Sequence, residues 1–120
     1  MEQPITADDI SRDLIHFIAK SPSTFHAVRG IKAALLYAGF TEIREEDTWQ
    51  IEKDGKYVVT RNGSALMAFT VPQESAEAFH ITASHCDSPT FKIKENPEIA
   101  DAPYVKLNVE GYGGMIMSTW

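Results

Sequence analysis

The residue types best suited to chemistry fall together at Ala83-Ser84-His85-Cys86-Asp87-Ser88-Pro89. A hydrophobic run over 79–83 reads as a strand that delivers His85 to its end. Neutral imidazole is a good zinc donor at about 2.0–2.1 Å. A ligating histidine usually gives its other ring N–H to a carboxylate or carbonyl, which fixes the tautomer and the ring direction. Asp87, two positions on, can fill that role in a turn. It can equally orient a catalytic carboxylate, and the spacing does not separate the two. The pairing is common by chance, because 17 of the 120 residues are acidic. A strand-end histidine that bonds only to backbone fits the same letters.

The other chemically capable residues have simpler readings. His16 falls near the polar side of a helical segment and reads as a surface residue. His26 follows Phe25 at a helix start, has no metal partner at helical spacing, and reads as a packing or surface residue. His80 alternates away from Phe79 and Ile81 and faces the other side of its strand. Asp8, Asp9 and Asp13 fit a cap and a solvated face. Glu45-Glu46-Asp47 fits a solvated turn, and Trp49 fits core or edge packing. Gly111, Gly113 and Gly114 lack the lysine and helix start of a phosphate loop.

These residues must be positioned by the elements around them. Thr6 is suited to cap a first helix, with Asp9 as the reciprocal acidic partner. Ile10, Leu14, Phe17 and Ile18 then recur at helical spacing and predict one buried face. Ser21-Pro22-Ser23 breaks that helix, and either serine can cap the next. A second helix is predicted over 23–38, burying Phe25, Val28, Ile31, Leu35 and Leu36, with Gly39 as its stop. Beyond a charged connection at 41–47, strands are predicted at 49–52, 56–61, 65–71, 79–84, 91–94 and 104–109. Asn62-Gly63 is a strong hairpin signal, and 73–78 reads as a surface loop. Asn96-Pro97 and Ala102-Pro103 are expected to bracket another loop. Helices first and strands afterwards give a mixed α/β or α+β arrangement.

Bulk properties narrow the function. The chain is 43% hydrophobic and 23% charged, as in ordinary globular domains. Its formal charge of −6, with basic residues scattered, argues against nucleic acid as a partner. No apolar run approaches the roughly 18–20 residues of a membrane span, and no membrane partner is expected. Residues 1–20 lack the basic start and apolar block of a signal peptide, so a cytoplasmic location is expected. The single cysteine, Cys86, has no internal disulfide partner, which fits a reducing compartment. The apolar Met115-Ile116-Met117, running on to Trp120, reads as a truncation or as a terminal strand that pairs with a partner.

Several segments, taken in order, carry a resemblance. They are Ser21-Pro22-Ser23-Thr24-Phe25-His26-Ala27-Val28, Ala38-Gly39-Phe40, His85-Cys86-Asp87-Ser88-Pro89, and Gly111-Tyr112-Gly113-Gly114 followed by Trp120. Together they resemble the N-terminal part of the aspartyl aminopeptidase family of dinuclear zinc metallopeptidases. Cys86 departs from the family pattern, where threonine is common. The resemblance implies that His85 ligates one of two zinc ions and that Asp87 orients the groups around the metal. It implies a peptide substrate with an acidic N-terminal residue, and assembly of the whole enzyme into a homo-oligomer, commonly a dodecamer. It implies that 1–95 belong to the catalytic domain, with strands of a zinc-peptidase-like sheet, and that 96–120 begin an inserted β-rich association domain. The general base and remaining ligands come from later sequence in such enzymes. The other class compatible with the residues is a non-catalytic α+β module, either structural or binding a peptide along a strand edge.

Overall fold

In the computed structural model, which describes residues 5–114 and 118, helix α1 runs Ala7–Ala19. Thr6 caps it: the Asp9 backbone N–H donates to Thr6 Oγ1 at 3.2 Å, and Asp9 Oδ2 accepts from the Thr6 N–H at 3.0 Å. The Thr6 hydroxyl also donates to Asp9 Oδ2 at 2.6 Å, and that bond first, then the Thr6 N–H, holds the Asp9 carboxyl below its ordinary range. The expected face is only partly covered. Phe17 is half-buried, and its ring lies 3.6 Å from where a Cβ on Gly30 of the next helix would stand. Ile10, Leu14 and Ile18 are exposed, because that helix touches α1 along one short stretch.

Helix α2 runs Thr24–Tyr37, with Ser23 at its N-cap position. It ends with the Phe40 N–H on the Leu35 carbonyl and the Gly39 N–H on the Leu36 carbonyl, both at 3.0 Å, which is a Schellman closure. Ala27 and Val28 are buried, Ile31 and Leu35 half-buried, and Phe25 and Leu36 exposed.

Three strands follow, β1 (Thr41–Glu42), β2 (Lys56–Arg61) and β3 (Ala65–Thr70), in the order β1-β2-β3. β1 is parallel to β2, and β2 and β3 form the expected hairpin, turning at Asn62 (φ 51°) and Gly63 (φ 66°). β1 lies inside the predicted charged connection. Its two residues are exposed, so they carry no apolar pattern to announce a strand. α2 packs across β2 and β3. The buried residues Tyr57, Val58 and Val59 of β2 join Ala27 and Val28 as the core, with Val58 at 0% exposure. Burying a side chain of that size contributes about 1.5–3 kcal/mol.

Two predicted strands do not form. At 49–52 the backbone is met by a side chain: Tyr57 OH accepts from the Glu52 N–H at 2.8 Å and lies 3.5 Å from the Gln50 carbonyl. Trp49 stacks on Phe69, 6.1 Å between centroids, as edge packing requires. Residues 79–84 have strand composition but join no ladder among the described residues, and Phe79 and Ile81 are 88% and 84% exposed. Alternation makes a segment competent for a sheet; a hydrogen-bonding neighbour makes it a strand.

The chain divides into two units, Met1–Cys86 and Asp87–Trp120. The second is a ribbon of β4 (Thr90–Asp101) and β5 (Tyr104–Tyr112), antiparallel, joined through a cis Ala102-Pro103 bond. The loop expected around Asn96-Pro97 is a bulge inside β4. Ile93 pairs with Val109 and Glu98 with Leu107, so Lys94, Glu95, Asn96 and Pro97 all stand opposite Asn108. Asn96 takes φ 52°, and the missing N–H of Pro97 is tolerated where the ladder is interrupted. Position 95 therefore falls within β4. Residues Met115, Ile116, Met117 and Trp120, read above as a terminal apolar stretch, lie outside the described residues.

Candidate functional site

In the first unit three separate segments meet at Cys86. The Ser23 carbonyl accepts from the His26 and Ala27 N–H groups, each at 3.0 Å, and so starts α2. The Ser23 side chain does not cap the helix as expected; its Oγ bonds His26 Nδ1 at 2.7 Å. Thr24, the first helical residue, donates through Oγ1 to the Ser64 carbonyl at 2.9 Å. Ser64 is the residue on which the Asn62-Gly63 turn closes. Cys86 Sγ lies 3.0 Å from Thr24 Oγ1 and 3.4 Å from the Ser64 carbonyl. With the Thr24 proton on Ser64, the thiol proton is left to serve Thr24 Oγ1 and the same carbonyl. Thr24, Ser64 and Cys86 are all half-buried.

His85 sits one residue before this junction, exposed, at the end of the stretch that joins no ladder. Asp87 opens the second unit. Its Oδ2 accepts from Tyr112 OH at 3.1 Å. That bond, and then the negative charge itself, push the Tyr112 phenol above its ordinary pKa. Close by in the same unit, Gly113 has φ 98°, and a Cβ there would stand 3.0 Å from Pro89 Cα. A side chain at 113 would both strain the backbone and press on Pro89.

A zinc ion fits these residues in part. An exposed imidazole at 85 is a suitable donor, but a catalytic zinc typically takes three protein ligands. No group of three or more His, Cys, Asp or Glu side chains among the described residues could hold a metal ion. The described residues do not by themselves complete such a centre. A separate cleft of about 250 Å³, lined by Glu45, Val59, Arg61, Leu66 and Met67 among others, offers no free cation: Arg61 pairs with Glu45 at 2.6 Å. No helix among the described residues is long and apolar enough to cross a membrane.

Residues 17–120 match the family described as Aminopeptidase I zinc metalloprotease (M18). The chain belongs to the M18 aminopeptidase family. It is 51% identical over 115 residues to a probable M18 family aminopeptidase 2 from Clostridium acetobutylicum, covering 93% of this chain and 27% of the relative. It is 34% identical to a probable aspartyl aminopeptidase from Ricinus communis, covering 92% of this chain and 23% of that protein. The fold is similar to that of the S. cerevisiae mApe1 dodecamer, with TM-score 0.74 and 30% identity over 91% of this chain and 26% of that one. The chain thus spans about a quarter of the length of the M18 relatives it matches.

Within this M18 segment, sequence reading singled out His85 and Asp87 but not the residues that hold their surroundings. Thr24 lies 62 positions from Cys86, and Tyr112 lies 25 from Asp87. Nothing local in the sequence marks either pair. The one available signal was that Thr24 and Tyr112 both fall inside the segments that carry the family resemblance.

Proposed function

We propose that the whole protein is a zinc-dependent aminopeptidase that removes N-terminal acidic residues from peptides, with His85 as one ligand of a two-zinc centre. The observation that carries this reading is the family match over residues 17–120, a span that includes both His85 and Asp87. Zinc, when bound, polarises the scissile carbonyl and lowers the pKa of a bound water. The imidazole of His85 supplies a nitrogen lone pair, and the Asp87 carboxylate orients the groups that hold the metal. The acidic preference is supported by the relative named a probable aspartyl aminopeptidase. Assembly into a homo-oligomer is supported by the similarity to the mApe1 dodecamer. In the same reading residues 96–120 begin a β-rich association domain. The protein works in the cytoplasm, where a lone thiol stays reduced.

The test is hydrolysis of aspartyl and glutamyl substrates by the whole protein, with and without a chelator. Chelation is expected to abolish turnover and added zinc to restore it. His85→Ala should remove most activity and lower the zinc content. Asp87→Asn should cost about 10–100-fold in metal affinity or activity. A correctly folded His85→Ala protein with unchanged zinc and turnover defeats the ligand assignment. A non-catalytic peptide-binding module would show no chelator-sensitive hydrolysis at all.

A further inference from the structure

We propose that Thr24 is a positioning residue for His85, acting through Cys86 and the Ser64 carbonyl; this rests on the reading of His85 as a zinc ligand. The stretch 79–84, which enters His85, joins no ladder among the described residues. The residue after His85 is held by its side chain. Cys86 is fastened by its side chain to two points that are themselves firmly built. One is the first turn of α2, set by the bonds to the Ser23 carbonyl. The other is the turn closing the β2–β3 hairpin, set by a ladder paired from Lys56–Thr70 to Arg61–Ala65.

Thr24 Oγ1 bridges these points, 2.9 Å from the Ser64 carbonyl and 3.0 Å from Cys86 Sγ. Cys86 Sγ closes the triangle at 3.4 Å. Consecutive Cα atoms are about 3.8 Å apart across a trans peptide, so an anchor at 86 limits the travel of the backbone at 85. A metal centre tolerates ligand displacements of only about 0.2 Å. Removing the Thr24 hydroxyl leaves the thiol with the weaker of its two contacts and gives the backbone at 85 more freedom, without touching the imidazole itself.

The experiment uses the whole zinc-loaded protein in wild-type, Thr24→Val, Thr24→Ser and His85→Ala forms. It measures zinc release to a chromogenic chelator, and the rate at which the zinc-free thiol reacts with a disulfide reagent, with Cys86→Ser supplying the background. Thr24→Val is expected to release zinc about tenfold faster or more and to expose the Cys86 thiol to faster reaction. Thr24→Ser should recover most of both. A folded Thr24→Val protein that releases zinc at the wild-type rate, while His85→Ala loses its zinc, overturns the positioning role and leaves the ligand reading standing. A His85→Ala protein that keeps its zinc overturns both. Equal release from Thr24→Val and Thr24→Ser overturns the role of the hydroxyl. Should Thr24→Val not fold, Cys86→Ala against Cys86→Ser repeats the test: faster release from the alanine form alone supports the proposal, and equal release overturns it.

Discussion

Asp87 is a carboxylate whose bond from Tyr112 reports on it. The Tyr112 hydroxyl donates to Asp87, and loss of the phenolic proton would place two negative charges together. Tyr112 therefore titrates above the ordinary tyrosine value of about 10. A raised pKa in the folded state means a stabilising contribution fully present below the unfolded value. That contribution fades as pH climbs through the folded one. Asp87→Asn should bring the Tyr112 titration back toward the ordinary range, read by ring NMR signals or phenolate absorbance. An unmoved titration would show that the bond does not persist in solution. The same residue scale explains the difference between the two helix starts. Thr6 and Asp9 satisfy each other, whereas Ser23 leaves its cap to the backbone and spends its hydroxyl on His26.

The first sheet depends on how closely its elements approach one another. A Cβ on Gly55 would stand 2.5 Å from Tyr57 Cε2 and OH. That ring cannot move aside freely, because its hydroxyl bonds the Glu52 N–H and its face meets Phe69 at 5.5 Å. Gly55→Ala should therefore cost about 1–3 kcal/mol, as overpacking does, measured by urea unfolding of the protein. An unchanged midpoint would mean that the loop at 51–55 yields instead. Element legibility follows the same physics. The Thr6 cap, the Gly39 stop and the Asn62-Gly63 turn were readable because each is a local device with its own residue types. The segments at 49–52 and 79–84 misled because alternation says nothing about whether a neighbour exists. β4 was read as ending at 94 because the bulge breaks its alternation, although pairing resumes at Glu98.

At the scale of the whole molecule, the chain carries family identity, while its described residues hold no finished metal centre. His85 and Asp87 were singled out by their residue types and by the resemblance; the Thr24–Ser64–Cys86 junction was not legible, because it joins positions far apart in sequence. The 120 residues alone should bind zinc weakly and hydrolyse no aminoacyl substrate, since one imidazole falls short of three protein ligands. Calorimetric titration that gave tight, one-to-one zinc binding by this chain would contradict that expectation. The apolar α1 face at Ile10, Leu14 and Ile18 is open in this chain, so its folding free energy is smaller than its 43% hydrophobic content suggests.

The bend in the ribbon imposes a parity rule on sequence change. From Ile93 to Glu98 is five steps along β4, while their partners Val109 and Leu107 are two steps apart, so β4 carries three surplus residues. An odd surplus changes which β4 residues share the side of Val105, Leu107 and Val109: Phe91 and Ile93 before the bend, Glu98 and Ala100 after it. Losing one residue there would turn the far half over, bringing Ile99 and Asp101 round in place of Glu98 and Ala100. Insertions and deletions of two at this bend keep every residue of the far half on its present side, and changes of one do not.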